Sequence, residues 1–209
     1  METLVLASNN AHKLEEIRTI LGNKFEIKSL NDIGCHTDIP ETGLTFQANA
    51  LQKAQYVKNH FGLDCFADDS GLEVEALDWE PGIYSARYAQ MHRRQVTDEN
   101  RDDTNMDVLL ERLEALHPQT QELAGARILS PARFRTVIAL LYHDSVHYFE
   151  GIVPGFIIDR KRGTAGFGYD PIFVPEGYTE TFAQLGSDKK NKMSHRARAV
   201  AQLADFLDV

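Results

Sequence analysis

The stretch that decides the fold is TLVLASNNAHKLEEIRTILG, residues 3–22. It begins with the apolar run 3–7, which is typical of a buried strand. Residues 8–10 are polar and of the types that cap helices. The apolar residues that follow have helical spacing and end at a glycine: Leu14, Ile17, Ile20, Leu21 and Gly22. A strand, a tight polar turn and a helix N-terminus form a natural anion site, because free backbone N–H groups point outward there.

Outward from this unit, apolar patterning predicts further strands and helices. The predicted strands are 25–30, 65–67, 72–77, 134–142 and 147–158, with a hairpin around residues 144 and 145. The predicted helices are 44–60, 97–116 and 187–207. The predicted turns, loops and linkers are 31–43, 68–71, 80–89 and 117–132. Because helices and strands mix along the chain, we expect an α/β fold with a mixed, partly antiparallel sheet.

Composition narrows the class of protein. The chain has 209 residues, of which 43% are hydrophobic and 25% charged, as in ordinary globular proteins, so disorder, collagen and a coiled coil are excluded. No apolar stretch approaches the ~20 residues that cross a bilayer, and residues 1–10 do not resemble a secretory signal. Cys35 and Cys65 form no CxxC motif and predict buried, reduced thiols. We therefore expect a cytoplasmic protein of a single domain, residues 1–209, that does not bind membranes.

The net charge and its distribution along the chain indicate which classes of ligand the protein can bind. The net charge is −9, from 22 basic and 31 acidic residues, and such a field disfavours binding to duplex nucleic acid. Residues 188–198 nevertheless hold five basic residues against one acid, which indicates either an anionic ligand or a solvated helix face. Lys13 follows the polar turn and either reaches an anion there or lies on the surface. The chain has no P-loop motif, and no GxGxxG follows the first strand.

Three carboxylates form a second candidate group. Asp68 and Asp69 directly follow an apolar run, and adjacent carboxylates repel each other unless a cation or hydrogen-bond donors lie nearby. Oxygen ligands of this kind suit Mg²⁺, which also binds substrate phosphates. The alternative is that Asp-Asp-Ser-Gly, residues 68–71, is simply a turn. Glu41 is ambiguous by itself.

Two further segments carry aromatic or cationic side chains. Residues 166–171, GFGYDP, have two glycines that flank Phe167, so this ring or that of Tyr169 either faces a planar ligand or lies buried at a tight turn. Residues 194–196, SHR, begin near Lys190, and Arg196 offers a planar set of donors that suits carbonyl oxygens.

Taken together, these segments resemble the Ham1-like inosine triphosphatase family. The matching segments cover the chain from end to end in the family's order: 6–16, 41–53, 67–72, 81–88, 163–171 and 190–196. Asn9 stands where many bacterial members have glycine. Residues 118–131 appear longer than usual and predict a different surface loop.

The resemblance implies a fold and an activity. The implied fold is an elongated mixed β-sheet with flanking helices and two lobes around a central cleft. The implied reaction is the Mg²⁺-dependent hydrolysis of the purine nucleoside triphosphates ITP, dITP and XTP to the monophosphate and pyrophosphate, which removes deaminated purines from the nucleotide pool. The resemblance also implies a homodimer.

The resemblance assigns roles to individual residues. Asp69 accepts the proton of the attacking water, although Asp68 or a metal-bound hydroxide could share this work. Glu41 and Asp69 hold Mg²⁺. The residues implied to bind the triphosphate are Ser8, Asn9, Asn10, Ala11, His12, Lys13 and Lys53, and Ser70 also touches the substrate. The residues implied to line the base and ribose pocket or to read the base are Phe167, Gly168, Tyr169, Asp170, Lys190, His195 and Arg196.

Two other functions stay open at this point. A Maf-like pyrophosphatase would share the general architecture, but that family opens with a serine-proline-arginine type of motif, where this chain has NNAHK at residues 9–13. A nucleotide-binding protein without catalysis would not need the pair Glu41 and Asp69. The sequence does not indicate how GTP, which shares the 6-keto group of the expected substrates, is excluded.

Overall fold

The computed structural model describes residues 1–118 and 121–208, apart from the side chains of His12 and Ser187. In these ranges the strands are β1 (Glu2–Leu6), β2 (Phe25–Lys28), β3 (Cys65–Val74), β4 (Gln121–Leu123), β5 (Ala126–Tyr142), β6 (Ser145–Ile158) and β7 (Phe173–Pro175). They form one sheet in the order β2-β1-β3-β5-β6-β7, with β4 paired to β5. β1 is parallel to β2 and β3, whereas β4 is antiparallel to β5 and β7 to β6, so the sheet is mixed.

The helices of the described residues vary widely in length. They are α1 (Ala11–Leu21), α2 (Phe46–Phe61), α3 (Tyr88–Met91), α4 (Arg101–Ala115), α5 (Phe182–Leu185), α6 (Ser187–Met193) and α7 (His195–Phe206). Short 3-10 helices span Asn31–Ile33, Glu75–Leu77, Gly82–Arg87 and Asp170–Ile172. Within the described ranges, no helix has the length and apolar character that crossing a membrane requires.

The chain divides into two compact units. Unit 1 comprises Met1–Asp69, Thr136–Gly151 and Arg196–Val209, and unit 2 comprises Ser70–Arg135 and Ile152–His195. β3, β5 and β6 each contribute residues to both units.

Unit 1 has helices on both faces of its strands. Leu4 and Leu6 belong to one apolar cluster, together with buried residues of α1 and α7. Val5 and Ala7 belong to another cluster, together with buried residues of α2. Because successive side chains of a strand point to opposite faces, an uninterrupted apolar run such as 3–7 suits a parallel strand covered on both sides.

Unit 2 has a core of its own. Leu109 and Leu113 of α4 pack in one buried cluster with Leu72 of β3 and with Phe134 and Phe173. The rings of Phe134 and Phe173 meet edge to face, with centroids 4.6 Å apart. Aromatic rings bury large areas and favour such offset contacts, so they account for much of this core.

Most predicted elements of unit 1 are confirmed. Asn10 caps α1 by accepting a hydrogen bond from the Lys13 N–H, and Gly22 ends the helix. The predicted hairpin joins β5 and β6 through His143 and Asp144, both of which have left-handed φ angles of 46° and 63°. Consecutive positive φ angles are typical of the two-residue turns that match the twist of the flanking strands.

The predicted turn at residues 68–71 is wrong. β3 runs without interruption from Cys65 to Val74, so the predicted strands 65–67 and 72–77 are largely one strand. Local composition favoured a turn because Asp, Ser and Gly are common in turns. The strand persists because β3 has strand neighbours on both sides and because Lys13 and Arg196 pair with Asp68, as described below.

Three other segments also differ from their predictions. The predicted loop 80–89 forms the 3-10 helix Gly82–Arg87 and the start of α3. The predicted linker 117–132 contains β4 and the first part of β5. The expected surface loop 118–131 lies within this range, and its residues 119 and 120 are outside the described ranges. The predicted helix 187–207 is two helices, because Ser194 is extended (φ −65°, ψ 160°). Serine in this backbone conformation is suited to begin a new helix.

Candidate functional site

A depression of about 540 Å³ lies in unit 1, where parallel strands end. Its lining includes Ala7 and Ser8 after β1, and Leu30 and Asn31 after β2. The carboxyl ends of parallel strands meet at one edge of a sheet, which is the usual place for a ligand in open α/β sheets. Five residues that the sequence predicted for the site line this depression: Ser8, Asn9, Lys13, Glu41 and Lys53.

The loop after β1 is held in place by its own side chains. Ser8 Oγ accepts a hydrogen bond from the Asn10 N–H (3.1 Å), and Asn9 Oδ1 accepts one from the Asn31 N–H (2.8 Å). Asn10 Oδ1 caps α1, and Ala11 is the exposed first residue of that helix. The side chain of His12, also predicted to bind the triphosphate, lies outside the described part of the chain. The loop therefore presents a helix N-terminus whose partial positive charge favours anions.

Asp68 holds two cations of unit 1. Lys13 Nζ lies 2.9 and 2.8 Å from its two carboxylate oxygens, and Arg196 Nε donates to Oδ2 at 3.3 Å. Burial opposes the charge of Asp68, but Lys13 and Arg196 outweigh it and hold its pKa well below the ordinary value. Burial also lowers the pKa of Lys13, an effect that Asp68 partly offsets. Asp68 is thus a fixed anion that keeps Lys13 and Arg196 close together.

Asp69, the next residue in β3, has a pKa that is shifted in the opposite direction. Asp69 is 9% exposed, and Asn49 Nδ2 donates a hydrogen bond to its Oδ2 (3.0 Å). Burial raises the pKa of Asp69 to about 6, against the opposing effects of Lys53 and of this hydrogen bond. A carboxyl group that titrates near neutral pH can accept and release a proton under physiological conditions. Of the two adjacent aspartates, Asp69 therefore has the properties of a general base.

Lys53 links Glu41, the third of the predicted carboxylates, to β3. Its Nζ lies 2.5 Å from Glu41 Oε1 and 2.6 Å from the backbone oxygen of Asp68. Burial opposes the charge of Lys53, but Asp68 and Glu41 outweigh it and raise its pKa. Unit 1 therefore brings Lys53 to the predicted metal ligand Glu41, and Lys13 to Asp68, the neighbour of the predicted ligand Asp69.

Unit 2 contains a second group of predicted residues around one loop. Phe167 is 65% exposed, and Lys190 Nζ lies 4.3 Å from the centre of its ring. Lys190 also forms an ion pair with the buried Asp170, whose Oδ2 accepts a hydrogen bond from the Phe167 N–H (3.0 Å). Burial raises the pKa of Asp170, and its pairing with Lys190 opposes this. Gly166 has a φ of 80°, and a Cβ there would lie 2.1 Å from the carboxylate of Asp170, so the turn requires glycine.

The other predicted residues of unit 2 are less accessible. Tyr169 is 4% exposed, and its hydroxyl donates to the backbone oxygen of Ser85 (2.7 Å). His195 is buried and stacks on Phe134, with ring centroids 4.9 Å apart. Gly168 donates its N–H to Asp102 (2.7 Å), and Ser70 follows Asp69 in β3. Of the two aromatic rings in the GFGYDP segment, only that of Phe167 is exposed.

Sequence reasoning missed part of the depression. His36, Thr37, Asp38 and Ile39 line it, as does Asn31. These residues lie in the segment 31–43, which has no apolar period and therefore gave no pattern to follow. Among the described residues, Glu2, Asp64 and His143 also bring potential metal-ligating atoms together. Asp64 already accepts hydrogen bonds from Lys58 and from the His143 N–H, so ordinary pairing accounts for this cluster.

The fold and the site together define a mixed α/β protein with a depression lined by Lys13, Lys53 and Glu41 at the carboxyl ends of parallel strands. Comparison with known proteins identifies the family. Residues 4–206 match the model of the Ham1 family. A dITP/XTP pyrophosphatase of Porphyromonas gingivalis is 52% identical over 208 residues, covering 99% of this chain and 98% of that protein. A dITP/XTP pyrophosphatase of Bacillus subtilis is 37% identical over 210 residues, covering 100% of this chain and 98% of that protein.

Solved structures agree with this match. A HAM1 protein from Coxiella burnetii has a TM-score of 0.87 at 35% identity, covering 100% of this chain and 99% of that one. The Ham1 protein of Staphylococcus aureus has a TM-score of 0.83 at 36% identity, covering 99% and 98%. The chain belongs to the Ham1 family. The predicted family and the α/β fold class, with a mixed sheet and flanking helices, are therefore confirmed.

Proposed function

We propose that this protein hydrolyses deaminated purine nucleoside triphosphates (ITP, dITP and XTP) to the monophosphate and pyrophosphate, and so cleanses the nucleotide pool. One observation carries this proposal: the carboxylates of Glu41, Asp68 and Asp69 lie in one cluster with the cations Lys13, Lys53 and Arg196. The names of the relatives, dITP/XTP pyrophosphatases, support the choice of substrate.

Glu41 and Asp69 are the residues that would hold a divalent metal ion, and we propose Mg²⁺. Both offer hard oxygen ligands, which is the type that Mg²⁺ prefers. The environment of Asp69 supports this fit, because burial and the carboxylates of Glu41 and Asp68 raise its pKa, and a bound cation would offset that effect. When bound, Mg²⁺ would neutralise negative charge on the phosphates.

In the proposed reaction, water attacks the α-phosphorus. A bond forms between the water oxygen and this phosphorus, and the bond to the oxygen that bridges the α- and β-phosphates breaks, so pyrophosphate leaves. Asp69 accepts the proton of the water. Its carboxyl group has a pKa of about 6 without the metal, which a bound cation would lower, so above neutral pH it is ionised in both cases and able to do so. Positioning and electrostatic stabilisation supply most of the acceleration in phosphoryl transfer.

The phosphates bind at the helix N-terminus of unit 1. The loop of residues 8–12 offers backbone N–H groups, and Lys13 and Lys53 add positive charge. The ammonium of Lys13 has three N–H donors, and Asp68 accepts at most two of them, so a phosphate oxygen can accept another. Asp68 thus keeps Lys13 in place before the substrate arrives.

We propose that N–H donors recognise the base, because they can donate a hydrogen bond to a keto oxygen but not to an amino group, which is itself a donor. Hypoxanthine and xanthine carry a 6-keto oxygen where adenine has an amino group. Arg196 uses Nε on Asp68, and its terminal NH₂ groups are the donors that we propose for the keto oxygen. A site built to hydrogen-bond a substrate group can reject an analogue that lacks it by ~10⁴–10⁵-fold. We propose that Ser70, Phe167, Gly168, Tyr169, Asp170, Lys190 and His195 contact the substrate, as predicted from the sequence.

Three further predictions go with this function. Residues 1–209 act as one catalytic domain, the protein works in the cytoplasm, and it forms a homodimer. Size-exclusion chromatography with light scattering measures the oligomeric state. A single monomeric species at working concentrations contradicts the homodimer.

Turnover on a panel of nucleotides tests the proposed function. ITP, XTP, dITP, GTP and ATP are each supplied with Mg²⁺, and pyrophosphate is assayed separately from orthophosphate. We expect pyrophosphate from ITP, XTP and dITP, and little product from ATP and GTP. Release of orthophosphate instead contradicts α-phosphorus attack. Binding of ITP without release of either product supports a nucleotide-binding protein. If a modified pyrimidine triphosphate is added to the panel, its turnover in preference to ITP supports the Maf-like alternative.

A further inference from the structure

One buried amide connects the two carboxylates of the proposed metal site. Asn49 is fully buried in the first half of α2. Its Nδ2 donates to Asp69 Oδ2 at 3.0 Å, and its Oδ1 accepts from the Gly43 N–H at 2.7 Å. Gly43 lies two residues after Glu41. Asn49 therefore bonds the segment that carries one carboxylate and, at the same time, the other carboxylate itself.

The contact between Asn49 and the segment that carries Glu41, residues 41–43, is close. A Cβ built on Gly43 would lie 2.8 Å from Asn49 Oδ1 and 2.7 Å from the Cβ of Ala48. Both distances are shorter than carbon side chains tolerate, so only glycine allows α2 to approach this segment so closely. The position of Glu41 relative to α2 is thus set by packing as well as by the hydrogen bond.

Gln52, on the same face of α2, holds the same segment, residues 41–43, without touching Asp69. Gln52 Oε1 accepts from the Thr42 N–H at 2.9 Å, and Gln52 Nε2 donates to Thr42 Oγ1 at 3.0 Å. Residues three apart on a helix share a face, which explains why Asn49 and Gln52 reach the adjacent residues Gly43 and Thr42. Asn49 and Gln52 therefore differ in one respect. Gln52 only holds the segment 41–43, whereas Asn49 also orients the Asp69 carboxyl group.

We propose that Asn49 is a positioning residue, which sets the distance and the direction between Glu41 and Asp69 for the metal ion and the attacking water. This inference rests on the proposed function. An amide is suited to the task because it donates from one end and accepts at the other. A carboxylate of the same shape could not donate to Asp69 and would add a negative charge beside it. Partners that orient metal ligands in this way typically change metal affinity or activity 10- to 100-fold when they are removed.

The test compares Asn49→Ala with the control Gln52→Ala. Binding of Mn²⁺, used as a probe for the divalent metal, is measured by electron paramagnetic resonance in the absence of nucleotide. The kinetic constants for ITP and the melting temperature are measured alongside. We expect Asn49→Ala to weaken Mn²⁺ binding and lower kcat, each by about 10- to 100-fold, with a smaller change in KM. We expect Gln52→Ala to change each by less than about 3-fold, because it leaves Asp69 untouched.

A double variant shows whether Asn49 acts through Asp69. In the background of Asp69→Asn, Asn49→Ala should weaken Mn²⁺ binding by a smaller factor than in the wild-type background, close to the factor for Gln52→Ala, because only its bond to the segment of Glu41 remains to be lost. If Asn49→Ala fails to fold, Asn49→Ser, which keeps a small hydroxyl donor, replaces it in each measurement. Equal effects of Asn49→Ala and Gln52→Ala, or an undiminished effect in the Asp69→Asn background, overturn the proposal.

The outcomes separate this proposal from the proposed function. If the wild-type protein binds Mn²⁺ and Asn49→Ala weakens that binding, but ITP is not hydrolysed, only the proposed function fails. If ITP is hydrolysed and Asn49→Ala binds Mn²⁺ and turns over like the wild type, only the positioning role fails.

Discussion

Two adjacent aspartates should respond to the same substitution with opposite changes in stability. Asp69→Asn removes a carboxyl group whose pKa is about 6 in the folded protein, against an ordinary value of 3.8. A raised pKa means that the folded protein binds this proton more tightly than the unfolded chain, so ionisation of Asp69 lowers the free energy of unfolding as the pH rises from about 4 to 6. At 1.36 kcal/mol for each pH unit, the full difference is about 3 kcal/mol at pH 8 and roughly half of that at pH 5.

Asp68→Asn has the reverse sign. The pKa of Asp68 lies well below its ordinary value, so its charge stabilises the folded protein above about pH 4, and this stabilisation is lost only at lower pH. Replacing it leaves Lys13 and Arg196 without the carboxylate that they share. Removal of one partner from a buried ion pair typically costs about 3–5 kcal/mol. This loss should be nearly the same at pH 5 and pH 8.

Urea denaturation of both variants at pH 5 and pH 8, in the presence of a chelator, measures these changes. Asn49 can still donate to the amide oxygen of an asparagine at position 69, so the fold of that variant should be preserved. We expect Asp69→Asn to be inactive but more stable than the wild type, by about twice as much at pH 8 as at pH 5. A gain that does not depend on pH, or a loss of stability at pH 8, refutes the assignment of Asp69 as the buried, neutral-pH carboxyl group.

Three other substitutions probe separate parts of the account. Gly43→Ala should cost about 1–3 kcal/mol of stability by urea denaturation and lower kcat, because its Cβ overlaps Asn49 and Ala48; unchanged activity contradicts the close approach. Phe167→Ala should change stability by no more than about 1 kcal/mol, because the ring is exposed and contacts Lys190, yet it should raise KM for ITP in steady-state kinetics; an unchanged KM argues against substrate contact. Arg196→Ala should lower the ratio of kcat/KM for ITP over ATP by at least about 10-fold, and an unchanged ratio contradicts base reading by this residue.

The sequence predicted the part of the fold where local and tertiary preferences agree. The β1–α1 unit is an example, because its apolar run, capping residue and terminal glycine all indicate one structure. The resemblance to the Ham1-like family, and not local patterning, assigned Lys13, Lys53 and Glu41 to one site before their positions were known. The actual contacts were not predictable, because Lys13 meets Asp68 only through the pairing of β1 with β3, and Asn49 meets Asp69 only through the packing of α2.

The wrong predictions lie where tertiary contacts overrule local preference. Asp68 and Asp69 lie in a strand although their local sequence favours a turn, because ion pairs and strand neighbours stabilise the extended backbone. Residues 126–132 look like a linker because Pro131 and polar residues interrupt their apolar pattern, yet they begin β5. The break at Ser194 divides a stretch, 187–207, that contains no glycine or proline, so the local sequence gave no sign of a helix end there.

Hydrolysis of ITP in water labelled with oxygen-18 tests the central claim most directly. The claim is that Asp69 directs water to the α-phosphorus, so the new bond joins the water oxygen to the nucleoside monophosphate. Mass spectrometry of both products should find the label in the monophosphate and none in the pyrophosphate, and Asp69→Asn should give no labelled product. Label in the pyrophosphate, or labelled orthophosphate as the first product, would contradict the account.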